Sequence, residues 1–108
     1  MRAMVVRRYG PPEVLEMREV AEPALGAGQV LLRVQAVGIN FADLLQRMGL
    51  YPGTPRPPFI PGLEVAGIID SLPSSSQPPA SNLQKGQRVV AFTPFNAYAE
   101  RVAVSANQ

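Results

Sequence analysis

The chain has 108 residues, which is enough for one domain built around a single core. Its formal net charge is only +2 and its basic residues are scattered, so the sequence does not predict nucleic-acid binding. Cys and His are both absent. This excludes disulfides, thiolate chemistry and zinc held by nitrogen or sulfur ligands, and it excludes a Ser-His-Asp triad within this chain.

Hydropathy along the chain predicts neither a membrane span nor a targeting segment. No apolar stretch approaches the roughly 20 residues that a spanning helix needs. The apolar run near the N-terminus is too short for a signal-peptide core, and Glu13, Glu16, Glu19 and Glu22 soon follow it. We therefore expect a cytoplasmic protein with no membrane partner.

Short strands separated by turns dominate the predicted structure. The 12 prolines are about twice the average frequency, which favours turns over long helices. Hydrophobic alternation predicts six extended segments, at residues 2–8, 15–21, 29–37, 63–72, 88–92 and 98–104. Gly67, inside the fourth segment, indicates a bulge or a close approach of two backbones.

One helix is predicted, from Phe41 to Met48. Asn40 is a good N-cap, and Asp43 is placed as the acidic partner of a capping box. Gly49 ends the helix. Its predicted apolar face consists of Leu44, Leu45 and Met48.

Two loops interrupt the pattern, a Pro-rich one at residues 51–62 and a Ser/Pro-rich surface loop at residues 73–84. Several short strands with one short helix predict a mainly β domain, a small and partly open β-barrel. No glycine-rich phosphate turn follows any strand, so the chain lacks a dinucleotide fingerprint.

Five motifs, in order, resemble the quinone oxidoreductase (zeta-crystallin-like) branch of the medium-chain dehydrogenase/reductase superfamily. They are VGINFAD at 37–43, GLYP at 49–52, PFIPGLEVAG at 58–67, KGQRV at 85–89 and AYAE at 97–100. The resemblance covers the chain except for the Ser/Pro-rich loop. It implies that residues 1–108 form the N-terminal, GroES-like substrate domain of such an enzyme.

The resemblance also implies zinc-free chemistry. Zinc-dependent relatives have a Cys and a His where this chain has Asn40 and Leu63, and neither residue replaces those ligands. In the zinc-free branch, hydride passes directly from NADPH to a quinone or to another activated double bond, such as an enone. We expect NADP(H) to be the cofactor, no metal to take part, and the full-length relatives to be homodimers.

Candidate site residues follow from the same resemblance. Asn40 is expected to bond NADPH or a substrate oxygen, or to serve only as the helix N-cap. Tyr51 is the candidate catalytic residue, donating its phenol to a developing oxyanion, or it packs over the loop with its hydroxyl in water. Phe41, Phe59 and Phe95 are candidates to line the pocket for a flat ring, although Phe59 also fits the core.

The chain stops at Gln108, where relatives continue into a Rossmann cofactor domain. We therefore expect most of the NADPH site to lie outside this chain, and the chain alone to be inactive. One alternative is a truncated, catalytically silent GroES-like domain that acts through protein contacts by its exposed apolar surface. Another is the substrate domain of an enoyl-thioester reductase, which these motifs do not exclude.

Overall fold

The computed structural model describes residues 1–72 and 83–108. The elements within these ranges, in chain order, are β1 Arg2–Val6, a 3-10 turn Pro12–Val14, β2 Leu15–Glu19, β3 Gln29–Val37, α1 Phe41–Met48, β4 Glu64–Ser71, β5 Arg88–Phe92 and β6 Arg101–Ser105. The predicted mainly β architecture with one helix is confirmed. Residues 73–82 of the predicted Ser/Pro-rich loop lie outside the described residues.

Most predicted boundaries agree with the structure, but the last strand begins later than expected. It starts at Arg101 rather than at residue 98. The main chain of residues 98–100 has other partners: the Tyr98 carbonyl accepts from Met4 N–H at 2.9 Å, and Ala99 forms an isolated bridge with Ala3. These three residues therefore join the N-terminal hairpin to the main sheet instead of extending β6.

The main sheet has four antiparallel strands in the order β5-β4-β3-β6. Alternate residues of these strands point into one apolar core, because successive side chains in a strand face opposite sides of the sheet. The core is centred on Val30, Leu32, Val65, Ile69 and Val102, all buried. On β3 alternate residues share one face, which is buried at Val30 and Leu32 and exposed at Ala36.

At Gly67 the backbone of β3 lies close to β4. The register between these strands shifts between Val34 and Ala36, opposite Gly67 and Ala66. A Cβ added at Gly67 would lie 2.5 Å from the Arg33 carbonyl oxygen. Of the two alternatives predicted for this glycine, the close backbone approach is therefore present, while the extra residue of the irregularity is Gln35 on β3.

β1 and β2 form a separate two-stranded antiparallel hairpin. Isolated bridges connect it to the rest of the domain, Ala3 with Ala99 and Val6 with Phe59. The two sheets are thus joined at their margins but do not close into a complete barrel. No helix within residues 1–72 and 83–108 has the length and apolar character needed to cross a membrane.

Candidate functional site

Helix α1 packs with its polar side inward. Asp43 and Gln46 are 4% and 1% exposed, whereas Phe41 on the other side is 74% exposed. Leu44 and Met48 are also exposed. The predicted apolar face of α1 is therefore present at Leu44 and Met48, but it is the exposed side of the helix. The reason is that α1 lies against main-chain groups, which need hydrogen-bonding side chains opposite them.

Gln46 connects α1 to two other segments. Its Oε1 accepts a hydrogen bond from Gly62 N–H at 2.9 Å, and its Nε2 donates to the Pro94 carbonyl at 2.8 Å. A single buried amide thus satisfies one donor and one acceptor of the neighbouring main chain. Gly62 has a φ of 106°, and a Cβ there would overlap Tyr98 and Ala97. Only glycine fits at this junction.

Asp43 binds both the start of α1 and Tyr98. Its Oδ2 accepts from Asn40 N–H at 3.0 Å, which supplies the acidic half of the predicted capping box, and from the Tyr98 hydroxyl at 2.6 Å. Burial raises the pKa of Tyr98, and the hydrogen bond to Asp43 raises it further. Among the described residues, Asp43 Oδ1 is buried without a hydrogen-bond partner.

Asn40 is held firmly by its main chain. Its N–H donates to the Asp43 carboxylate, and its carbonyl accepts from Asp43 N–H at 2.9 Å. Its φ and ψ of −117° and 155° are those of an N-cap. Asn40 is half-buried, and the next residue, Phe41, is exposed. The structure therefore fixes the backbone of this candidate at the N-terminal end of α1.

Tyr51 follows the other end of α1. At the usual rise per residue, the eight residues of α1 form a helix about 12 Å long. Asn40 precedes this helix and Tyr51 follows it, so the two candidates lie beyond its opposite ends. Tyr51 is half-buried, and its carbonyl accepts from Thr54 N–H at 3.1 Å in a tight turn. The ring of Tyr9 packs on Gly49, and its hydroxyl donates to the Pro55 carbonyl at 2.7 Å. Tyr9 thereby joins the end of α1 to the Pro-rich loop.

Phe59 and Phe95 line a different space, which we term the hairpin cavity. It has a volume of about 490 Å³ and lies between the β1–β2 hairpin, the Pro-rich loop and the segment before β6. Phe59 is 7% exposed and also packs against Val6 and Val14, as the core alternative anticipated. Phe41, Asn40 and Tyr51 do not line this cavity. Of the five candidates, only Phe59 and Phe95 are therefore brought together in one cavity, while Asn40 with Phe41 and Tyr51 lie at opposite ends of α1.

The two positions that correspond to zinc ligands in the resemblance do not offer zinc ligands. Leu63 has no side-chain donor, and Asn40 offers only a neutral amide. Glu64, next to Leu63, is half-buried, and its carboxylate lies against Gly38, where a Cβ would overlap it. Within the described part of the chain, no three His, Cys, Asp or Glu side chains cluster as a metal site.

Sequence reasoning missed Gln46 and Tyr9. Gln46 lies at i+3 from Asp43, so the two polar residues share one helix face, and that spacing could have indicated a polar inner side. Nothing in the local sequence of Tyr9 indicates its contact with Pro55, because the two residues are 46 positions apart.

Comparisons with known proteins agree with this architecture. The sequence profile of the alcohol dehydrogenase GroES-like domain matches residues 26–107. The chain belongs to this family. A quinone oxidoreductase of Lama guanicoe is 42% identical to this GroES-like domain over 102 residues, covering 93% of the chain and 30% of that protein. A Mus musculus protein named synaptic vesicle membrane protein VAT-1 homolog-like is 37% identical, covering 94% of the chain and 24% of that protein.

Solved structures give the same result. The quinone oxidoreductase of Thermus thermophilus, also solved with NADPH, has a TM-score of 0.77 at 42% identity, covering 98% of the chain and 30% of that structure. The Escherichia coli quinone oxidoreductase complexed with NADPH has a TM-score of 0.85 at 31% identity, covering 98% and 31%. The predicted relationship to quinone oxidoreductases is confirmed. The GroES-like domain spans about a quarter to a third of these relatives' length.

Replacing Gln46 tests how much its two hydrogen bonds, to Gly62 N–H and to the Pro94 carbonyl, stabilise the fold. We expect Gln46→Leu to lower the free energy of unfolding by about 2–4 kcal/mol, because Gly62 N–H and the Pro94 carbonyl both lose a buried partner. Urea denaturation followed by circular dichroism measures this loss. Leu44→Gln, the reverse exchange at an exposed position of the same helix, should change stability little. Similar losses in both variants would contradict the role of Gln46.

Alkaline pH tests the Tyr98–Asp43 contact. Because the pKa of Tyr98 is raised in the folded state, the neutral phenol stabilises the fold fully below about pH 10. That contribution is lost as pH rises from there toward the folded-state pKa, with a slope of at most about 1.4 kcal/mol per pH unit. Unfolding free energies measured from neutral to strongly alkaline pH should fall less steeply in Tyr98→Phe. Parallel curves for the two proteins would show that Tyr98 does not cause the loss.

Proposed function

We propose that this chain is the substrate-side domain of an NADPH-dependent oxidoreductase that transfers hydride to a quinone or to another activated C=C bond without zinc. The observation that carries the proposal is the N-terminal end of α1, where two hydrogen bonds to Asp43 hold the main chain of Asn40 and the next residue, Phe41, is exposed. Similarity to quinone oxidoreductases solved with NADPH supports NADP(H) as the cofactor.

Asn40 is proposed to hold the nicotinamide end of the cofactor. Asp43 bonds both the N–H and the carbonyl of Asn40. The side-chain amide of Asn40 therefore extends from a fixed backbone, which lowers the ordering cost of binding. Phe41 provides a flat apolar surface beside it for the ring of the cofactor or of the acceptor. When bound, NADPH would supply the hydride, and this domain would orient donor and acceptor and exclude water.

Tyr51 is proposed to supply the polarising hydrogen bond. Hydride addition to a quinone places negative charge on a carbonyl oxygen, and a phenol O–H aimed at that oxygen stabilises the charge. Two hydrogen bonds restrict the loop that carries this phenol. Thr54 N–H donates to the Tyr51 carbonyl, and the Tyr9 hydroxyl donates to the Pro55 carbonyl. Zinc has no part in this proposal, since Leu63 offers no ligand at the corresponding position.

The exposed apolar surface beside α1 is proposed to face a dinucleotide-binding domain in a longer protein. Ile39 and Phe41 at the start of α1 and Leu50 after its end are 78%, 74% and 68% exposed, and apolar side chains so exposed commonly mark interaction sites. The same surface favours a second candidate function. In that alternative the domain is catalytically silent and binds another protein through Ile39, Phe41 and Leu50.

The affinity of this chain for NADPH tests whether another domain holds most of the cofactor. We expect NADPH fluorescence titration of the 108-residue chain to give a dissociation constant weaker than about 1 µM, because no glycine-rich phosphate turn is present in the chain. Asn40→Ala should weaken any residual binding further. Submicromolar binding would contradict the proposal that another domain holds most of the cofactor.

Activity tests the role of Tyr51. In a longer protein that joins this domain to a dinucleotide-binding domain, NADPH oxidation by a benzoquinone should be observed by absorbance. Tyr51→Phe should lower kcat about 10–100-fold with a smaller effect on KM, because its hydrogen bond strengthens as charge develops. Tyr9→Phe, which removes a phenol bound to a main-chain carbonyl, should change kcat less. No quinone-dependent oxidation by the joined protein would favour the protein-binding alternative.

A further inference from the structure

The hairpin cavity has the properties of a small-molecule site, and it lies apart from the residues that flank α1. Its walls are largely apolar, with Val5 and Val20 from the hairpin and Pro55, Pro58, Phe59 and Phe95 on the opposite side. The volume of about 490 Å³ falls within the range of sites that bind cofactors and other small ligands. Proline and phenylalanine rings favour a flat ligand, because they offer broad apolar faces.

Hydrogen bonds of the main chain hold these walls in place without a ligand. Phe59 exchanges two hydrogen bonds with Val6, at 2.8 and 3.3 Å, which ties the Pro-rich loop to β1. Asn96 N–H donates to the Ile60 carbonyl at 2.8 Å on the far side of the cavity. A site whose walls are already fixed costs a ligand little ordering free energy.

Arg18 is the cationic group at the rim of the cavity. Two of its lining residues are charged, Arg18 and Glu19. The Glu19 carboxylate forms an ion pair with the N-terminal ammonium at 3.1 Å. Arg18, in contrast, shares one carboxylate with a second arginine: Glu16 Oε2 is 3.3 Å from Arg18 and 3.6 Å from Arg7. One carboxylate therefore serves two guanidinium groups, which leaves a positive charge for an anionic ligand.

We propose that the hairpin cavity binds a planar aromatic carboxylate, with its ring against Phe95 and the prolines and its carboxylate on Arg18. This role requires neither NADPH nor a second domain, so it stands or fails independently of hydride transfer. It also assigns Phe59 and Phe95 to a ligand of this cavity, whereas Asn40, Phe41 and Tyr51 serve the site beside α1.

Binding of 2-naphthoate to the 108-residue chain, measured by calorimetry and by amide chemical shifts, tests the proposal. Saturable binding is expected, with shifts concentrated at residues 18–20, 55–60 and 95–96. Arg18→Gln should weaken binding about three- to tenfold, because a charge-assisted hydrogen bond is lost at a partly exposed position. Arg8→Gln is the matched control, since Arg8 does not line the cavity and the exchange removes the same charge.

Two aromatic variants test where the ring of the ligand binds. Phe95→Ala should weaken 2-naphthoate about fivefold, and Phe92→Ala, at an exposed position of β5, should leave it unchanged. The neutral analogue 2-acetylnaphthalene should respond to Phe95→Ala and not to Arg18→Gln. Absence of saturable binding, equal effects of Arg18→Gln and Arg8→Gln, or greater sensitivity to Phe92→Ala than to Phe95→Ala would each overturn the proposal.

Discussion

The buried amide of Gln46 holds together three segments that are distant in the sequence. It bonds Gly62 N–H and the Pro94 carbonyl from one side chain, while Asp43, one turn earlier, bonds Tyr98. Because these partners are polar, α1 must turn its polar side inward. The exposed apolar side of the helix is the direct result, and so is the fixed position of Asn40 at its start. Both proposed functions of that surface depend on this arrangement.

Local sequence patterns were sufficient for most of the secondary structure. The bounds of α1, β3 and β5 agree with the prediction, because capping residues, strict alternation and adjacent turns act over short distances. The inner face of α1 was not predictable in the same way. Periodicity shows that one face of a helix is apolar and the other polar, but it does not show what packs against either face. In this structure, main-chain groups rather than apolar side chains pack against α1. The late start of β6 has a similar cause, since residues 98–100 pair with the hairpin.

For the candidate site, the sequence offered residues but no arrangement of them. The family resemblance supplied Asn40, Phe41, Tyr51, Phe59 and Phe95 without distances between them. The structure separates Phe59 and Phe95 from the others by placing them at the hairpin cavity. Arg18 could not be singled out from the sequence, because its excess charge depends on cross-hairpin neighbours that share Glu16.

The shortness of α1 has a consequence for how the domain folds. A helix of eight residues does not persist alone in water. Its stabilising hydrogen bonds reach partners 16, 48 and 55 positions further along the chain. Loops of that size must close before the helix gains its support, so α1 should consolidate only together with the segments around Gly62, Pro94 and Tyr98. In native-state hydrogen exchange, the amides of α1 would then report the joining of distant parts of the chain rather than local helix stability.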